Sequence, residues 1–313
     1  MSPDPVAPFT QKALEVSFGV ASGGFGAGGT DTVTLSGLRC HAQVTNAGLP
    51  GGSTLSLRVG GMALSMMNRL SVLSAMPAAD APQQQMQACG NTVTLRATHD
   101  GGMVTVFRGV VVGAFIDFTT APDVAFIVTA SSLAGLQVQP LPPGGYCGAV
   151  SVETVLSDIA AQCGLGLVTH GLGGVMIHDY YGWGCARDRI ERIRHAAGIV
   201  ITIEDNTLTA WGRDLAGDDT ATPPVISAAT GMLGYPAYNQ DGVSFRTLFR
   251  PDITYLSPVR IQAAPAVQGD VPMASDGVWA PYLITHQLES EVPDGAWFTH
   301  VAATRTGNPA MGG

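Results

Sequence analysis

Gly234-Tyr235-Pro236-Ala237-Tyr238-Asn239-Gln240-Asp241-Gly242-Val243-Ser244-Phe245-Arg246-Thr247-Leu248-Phe249-Arg250-Pro251 is the stretch on which the reading of this chain turns. Its second half, Val243 to Phe249, reads as a strand. An equally patterned segment stands far upstream, Gly61-Met62-Ala63-Leu64-Ser65-Met66-Met67-Asn68-Arg69-Leu70-Ser71. Neither sets a nucleophile, a base and an orienting group side by side, so both read as architecture rather than chemistry.

Downstream of the first stretch the chain stays β. Strands are expected at Pro258 to Ala264, Trp279 to Ser290 and Ala296 to Arg305, with turns at Asp276-Gly277 and Pro293-Asp294-Gly295. Strands of this length and turn chemistry suit a small barrel or sandwich. Upstream, Asp218 to Pro224 reads as a linker. Before it lies a compact α/β unit. Ser151 is placed to cap a helix whose apolar stripe is Val152, Val155, Leu156, Ile159 and Ala160, ending at Gly164. Leu165 to His170 and Val175 to Tyr180 read as a hairpin around Gly171 to Gly174. Cys185 to Ala197 is a second helix, followed by a hairpin around Asp205-Asn206. The order αββαββ forms a weak internal repeat.

The second patterned segment changes the period of its surroundings. Met62, Met66, Leu70 and Leu73 share one helical face, stopped by Pro77. The Met62/Met66/Met67 stripe is expected to be core, with Asn68 capping or cross-linking a neighbouring turn. Around it are strands: Thr32 to Leu38, the alternating Leu55, Leu57 and Val59, Thr92 to His99, Val104 to Phe118 and Val124 to Thr129. The Pro/Gly-rich run Pro140 to Gly145 marks a boundary. The plan is an arm (1–12), a β-rich domain (13–145), a small α/β domain (146–217) and a second β-rich domain with a tail (218–313). The class is α+β, mainly β.

With 313 residues, two or three domains are the natural prior. Charged residues make up only 12%, which points to a surface that largely faces other protein. Net charge is −9, and from residue 201 onward 12 Asp and Glu stand against 5 Arg. That balance opposes a DNA-gripping surface but suits one that nucleic acid slides past. Five cysteines, odd in number and without a CxxC pair, argue for reduced thiols. No signal peptide or membrane-spanning run is expected.

Gly23 to Gly29 is followed by a strand-like run instead of the helix a dinucleotide loop needs. The seven histidines show no metal-ligand spacing, so no metal and no cofactor are expected. A nucleophile could be assembled from Cys185, His178 and Asp179, but nothing local activates it. Glu153, Glu191, Glu204, Glu289 and Glu291 could supply a glycosidase pair, but Glu289 and Glu291, on one side of a strand, read more simply as an acidic barrel face. No catalytic residue is assigned. The loop Tyr180-Tyr181-Gly182-Trp183-Gly184 suits burial or partner docking better than sugar stacking.

The Gly61-Met62…Met67-Asn68…Leu70-Ser71 element resembles one inside the first β domain of baseplate hub proteins of contractile-tailed bacteriophages. Phe107 to Ala114 and Pro122-Asp123-Val124 resemble that family's strand and turn. So do Tyr235-Pro236, Gly242-Val243, Leu248-Phe249-Arg250-Pro251 and the closing hairpin with Trp279, His286 to Ser290 and Pro293 to Thr299. One departure is a missing glycine after Pro251, where Tyr255-Leu256-Ser257-Pro258 stands. The resemblance implies two tail-tube-like β-barrel domains with the small α/β domain between them. It implies a homotrimeric, pseudo-six-fold ring that joins a six-fold tail tube to a three-fold spike and lines the DNA channel. The assembly motifs it singles out are Met62, Met67, Asn68, Leu70, Tyr235, Pro236, Phe249, Pro251 and Trp297. Expected partners are further copies of the chain, the tail tube protein, the central spike, other baseplate proteins and the tape measure protein. Genome DNA would pass without specific binding and no membrane insertion is implied. The location would be the virion tail baseplate, after assembly in the host cytoplasm. Two other readings stand beside it: a hub-associated cell-wall hydrolase, and a carbohydrate-binding module using Tyr180 to Trp183.

Overall fold

A computed structural model of the chain describes residues 12–20, 31–71, 91–212, 222–263 and 275–305. The first third contributes β1 (Leu14–Gly19), β2 (Thr32–Ser36), β3 (Arg39–Asn46), β4 (Ser53–Gly60), α1 (Leu64–Leu70), β5 (Thr92–His99), β6 (Gly102–Asp117), β7 (Ala125–Ser131) and α2 (Ala134–Val138). The middle holds β8 (Gly144–Gly145), β9 (Ala149–Ser151), α3 (Val152–Cys163), β10 (Gly166–His170), β11 (Met176–His178), β12 (Tyr181–Gly182), α4 (Ala186–Ala197), β13 (Val200–Glu204) and β14 (Thr207–Trp211). The last part adds β15 (Val225–Ile226), β16 (Met232–Asn239), β17 (Gly242–Leu248), β18 (Val259–Ile261), β19 (Gly277–Ser290) and β20 (Trp297–Arg305). The fold is mainly β with few helices. None of the described helices is long and apolar enough to cross a membrane.

The expected pair of closed barrels is not what the described strands build. The first and last thirds share one sheet, ordered β16-β17-β20-β19-β3-β4-β7-β6-β5-β1-β2, with free strands at both ends of that path. The join is β19. Its start pairs with β18 and its end pairs antiparallel with β3, from Ile284↔Asn46 to Ser290↔Cys40. A 14-residue strand is long enough to serve two neighbours in succession.

Alternation decides which side of this sheet is wet. In β3, Cys40, Ala42, Val44 and Asn46 are buried while Arg39, His41 and Gln43 are exposed. β4, β7, β17, β19 and β20 keep the same period. Past a register shift at Val111/Gly113, β6 changes partner from β7 to β5, and β5, β1 and β2 fold back over the core. Phe18 of β1 therefore meets Phe126 of β7 edge to face, with centroids 6.5 Å apart. Both rings are fully buried, each worth about 1.5–3 kcal/mol in transfer.

In the α/β unit, the Ser151 hydroxyl accepts from Thr154 N at 3.1 Å and Gly164 ends α3 in the left-handed region. Ser151→Ala should cost about 1 kcal/mol, read as a lowered urea midpoint with an unchanged slope. The Asp205-Asn206 hairpin forms as expected, both residues having positive φ. The other expected hairpin does not. β10 pairs in parallel with β14, and β11 pairs antiparallel with β9. Buried Leu172 draws the intervening loop into the core and separates the two strands. The αββαββ order therefore does not repeat in its pairing.

The missing glycine has a definite outcome. Leu256 itself adopts φ 57° and donates its N–H to Pro281 O at 2.7 Å. The left-handed backbone costs about 1–2 kcal/mol in a non-glycine residue. Burial of the same side chain beside Tyr255, Trp211 and Val200 offsets it. The Tyr255 ring lies over Gly48, where any side chain would collide with it. A β turn of the first third is thereby held to the last third.

Candidate functional site: the open face of the sheet

The uncovered side of the sheet runs over eight strands, β16-β17-β20-β19-β3-β4-β7 and the outer half of β6. Register aligns its side chains in rows across the strands. One row runs Ser131, Thr54, Thr45, Thr285, His300, Arg246. The next runs Thr129, Ser56, Gln43, Gln287, Phe298, Leu248. Hydroxyls and amides dominate, and the Thr45 and Thr285 hydroxyls lie 3.4 Å apart. Two open hollows indent the face. One of ≈ 390 Å³ is lined by Gln43, Thr45, Thr54, Ser56 and Thr129. The other, of ≈ 340 Å³, is lined by Tyr235, Arg246, Leu283, Thr285 and His300.

A third row, Phe115, Ile127, Arg58, His41, Glu289, carries the charges. Arg58 Nη1 donates to Asp117 Oδ2 at 2.8 Å, and His41 Nδ1 lies 2.7 Å from Glu289 Oε1. The Asp117 carboxyl is lowered to about 2, first by the Thr119 hydroxyl and amide and then by Arg58. The Glu289 carboxyl is also lowered, chiefly by the Ala296 amide. Glu291 is not beside Glu289 on a strand face: it lies past the end of β19 with φ 56°. Glu289 is the only carboxylate on β16 to β20, so these strands form no acidic face.

The face ends in apolar side chains. β16 exposes Leu233, Tyr235 and Tyr238, and the far end exposes Val112, Phe115 and Phe118. Among the described residues, β16 has only β17 as a ladder partner, and β6 beyond Val111 has only β7. Both ends are therefore open edges. On β16, Pro236 and the irregularity between Leu233 and Ala237 blunt the edge against indiscriminate pairing.

The sequence-derived motif residues divide between core and surface. Met67, Leu70, Phe249 and Trp297 are buried in one cluster, with Met62 packed against it. Asn68 is exposed and cross-links no turn among the described residues. Tyr235 is exposed, Pro236 and Pro251 half-buried. Phe249 is the hub of an aromatic group, with centroids 5.8 Å from His99, 5.4 Å from His286 and 5.8 Å from Trp297. Leu73 and the Gly23 to Gly29 loop lie outside the described residues.

The acids considered for catalysis have structural work. Asp179 Oδ1 accepts from Gly148 N at 2.8 Å, Glu153 from the Thr169 hydroxyl at 2.9 Å, and Glu191 pairs with Arg194 at 3.0 Å. Cys185 is the N-cap residue of α4. In the aromatic loop Tyr180 packs inward, while Tyr181 and Trp183 are exposed and Arg192 lies over the Trp183 ring at 4.3 Å. The sequence offers Glu204 only as one acid among five; its place, in a cavity of ≈ 140 Å³ bounded by Val44, Asn46, Asp205, Ile253, Ile284 and His286, is not visible there. All three parts of the chain meet there. Glu204 Oε1 is buried with no hydrogen-bond partner, and burial pushes its carboxyl up to about 7. Burial pushes the His286 imidazole down to about 4.

The model of a family described as "Baseplate hub gp41" matches residues 13–271. Among solved structures, a tail protein from Neisseria meningitidis MC58 superposes with TM-score 0.56 at 12% identity, covering 94% of this chain and 97% of that one. The 43 kDa tail protein of prophage MuSo2 from Shewanella oneidensis gives TM-score 0.56 at 10% identity, over 95% and 97% of the two chains. The E. coli c3393 protein, a type VI secretion system component described as structurally similar to T4 tail proteins gp27 and gp5, gives TM-score 0.51 at 10% identity, over 87% and 74%. At such identities these likenesses show the fold alone. No curated protein sequence matches the chain.

Proposed function

This chain belongs to the baseplate hub gp41 family, and from that premise we propose that three copies form a ring joining a six-fold tail tube to a three-fold spike. It is a structural component of a phage tail, and the reading assigns it no enzymatic role. The observation that carries the proposal is the open face itself. Eight adjacent strands expose one sparsely charged, hydroxyl-rich side and end in two free edges, each with exposed aromatic residues. A cyclic trimer makes heterologous contacts, in which one end of each copy meets the opposite end of the next. Joining the β16 end to the β6 end would close three faces into a channel wall of twenty-four strands and cover both sets of aromatics.

Within this reading the first unit (13–145) and the last (218–313) each occupy one of six quasi-equivalent positions, and the α/β unit (146–217) sits between them. Apolar clusters centred on Leu57, Ile190 and Val243 fit that division, with Phe249, Leu288 and Trp297 of the last unit crossing into the first cluster. The face turned to the channel has few charges to hold DNA, which suits passage of a genome. The three-fold end would meet the spike, the six-fold end the tube.

Mass measurement of the purified chain, alone and with its spike, tests the ring. The wild-type chain should reach a trimer in at least the second case. Phe115→Glu places a charge at one closing edge on an exposed residue. It should abolish the trimer while leaving the melting temperature of the single chain nearly unchanged. A wild-type chain that stays single beside its spike would end this reading.

A further inference from the structure

The open face holds its basic side chains in an arrangement that ring closure alone does not require. Arg58 and His41 stand directly opposite each other on β4 and β3. Each has its own carboxylate, Asp117 for Arg58 and Glu289 for His41. Each carboxylate is also fixed from behind. Asp117 Oδ1 accepts from Thr119 N at 2.9 Å and from the Thr119 hydroxyl at 2.6 Å. Glu289 Oε2 accepts from Ala296 N at 2.9 Å. These anchors keep the acids in place without help from the basic groups they face.

The other cations of the face are handled differently. Arg246 lies flat on the Phe298 ring at 3.8 Å, and Arg39 lies along Gly60 at the margin. That leaves Arg58, with about 40% of its side chain exposed and its Nη2 donating to the Thr120 hydroxyl at 3.0 Å, as the one best placed to reach a ligand from the middle of the face. A guanidinium free to bond phosphate makes short, charge-assisted contacts. A duplex passing several such groups at once would be held by all of them together.

We infer that Asp117 and Glu289 act as masks that keep Arg58 and His41 from engaging the phosphates of a passing polyanion. The inference rests on the ring reading, because a face that lines a channel is where such masking matters. Its chemistry is nevertheless testable on the single chain.

The experiment measures fluorescence anisotropy of a short labelled DNA duplex with purified wild type, D117N, E289Q, D117N/R58Q and D158N, each first checked for an intact melting transition. Wild type should show no binding at low salt. D117N and E289Q should each gain at least about tenfold in affinity, lost again between about 50 and 200 mM salt. D117N/R58Q should return to the wild-type level. D158N removes one charge from the exposed side of α3, away from the face, and should not gain. Failure of both single variants to gain, an equal gain in D158N, or no reversal by R58Q would overturn the inference. The two single variants are independent, so a folding failure in one leaves the other to decide. An adherent D117N chain that never trimerises would sink the ring and keep the masks. A trimer whose D117N variant does not bind would do the reverse.

Discussion

Phe249→Ala should lower the stability of the folded chain by about 3–5 kcal/mol, the largest single-site loss expected here. Phe249 follows β17 in the last third, yet its side chain is buried in the core of the first. Its N–H donates to Trp297 O at 3.0 Å, which fixes the direction of the ring. His99, His286 and Trp297 each meet it nearly edge-on, at interplanar angles of 84°, 80° and 73°. Each such pair is worth about 0.5–1.5 kcal/mol beyond area burial. Truncation leaves a hole bounded by rigid rings and sheet backbone, which collapse poorly. Urea unfolding followed by tryptophan fluorescence and by far-UV circular dichroism reads the effect. A loss under about 1 kcal/mol would show that the two thirds are not held together at this point.

Glu204→Gln should do the opposite at alkaline pH and nothing at acid pH. The fold raises this carboxyl from 4.5 to about 7, because burial disfavours the charged form and no cation compensates it. Below about pH 4.5 the group is neutral in folded and unfolded chains alike, and no stability is lost. Between 4.5 and 7 the unfolded chain releases its proton first, so stability falls as pH rises. Above about 7 the loss is complete, roughly 2–3 kcal/mol after allowing for partial exposure. The amide cannot ionise and escapes that loss. His286 supplies the contrary slope: its pKa is lowered to about 4, so stability is present above about 6.5 and falls as pH drops toward 4. In wild type the two slopes oppose each other between about pH 4.5 and 6.5. In E204Q only the histidine slope remains. Melting temperatures of both proteins at pH 4.5, 6 and 8 check this. A gap between them that does not widen with pH would remove Glu204 from the account.

Local signals were legible in the sequence wherever a short-range contact decides the structure. The Ser151 cap, the Gly164 stop, the Asp100-Gly101 and Asp205-Asn206 turns and the alternation of β4 and β5 each depend on a few neighbouring residues. What could not be read depends on partners far away in the chain. The β3–β19 ladder joins residues some 240 positions apart, and no periodicity names a partner. β16 was hidden by Gly234 and Pro236, which argue against a strand until its edge position is known. The parallel pairing of β10 with β14 was hidden because a Gly-rich loop between two short apolar runs looks like a hairpin. At the site, the buried motif residues Met67, Leu70, Phe249 and Trp297 were visible as pattern. The hydroxyl rows and the paired charges were not, since they exist only across strands. Glu204 was visible as one acid among five, but its burial was not, because an acid in a Val-Ile-Thr-Ile-Glu run looks like an ordinary strand end.

Sharing β19 between the two β-rich thirds also has a mechanical consequence. Its backbone runs as strand from the β18 ladder to the β3 ladder, with an irregularity between Pro281 and Leu283 but no connecting loop along that line. Force drawn along the strand is carried in shear by the whole β3 ladder at once instead of bond by bond. A bending load must deform a pleated ribbon rather than swing a linker. The two thirds are therefore expected to tilt together, with any give along that line concentrated at the Pro281/Leu283 irregularity.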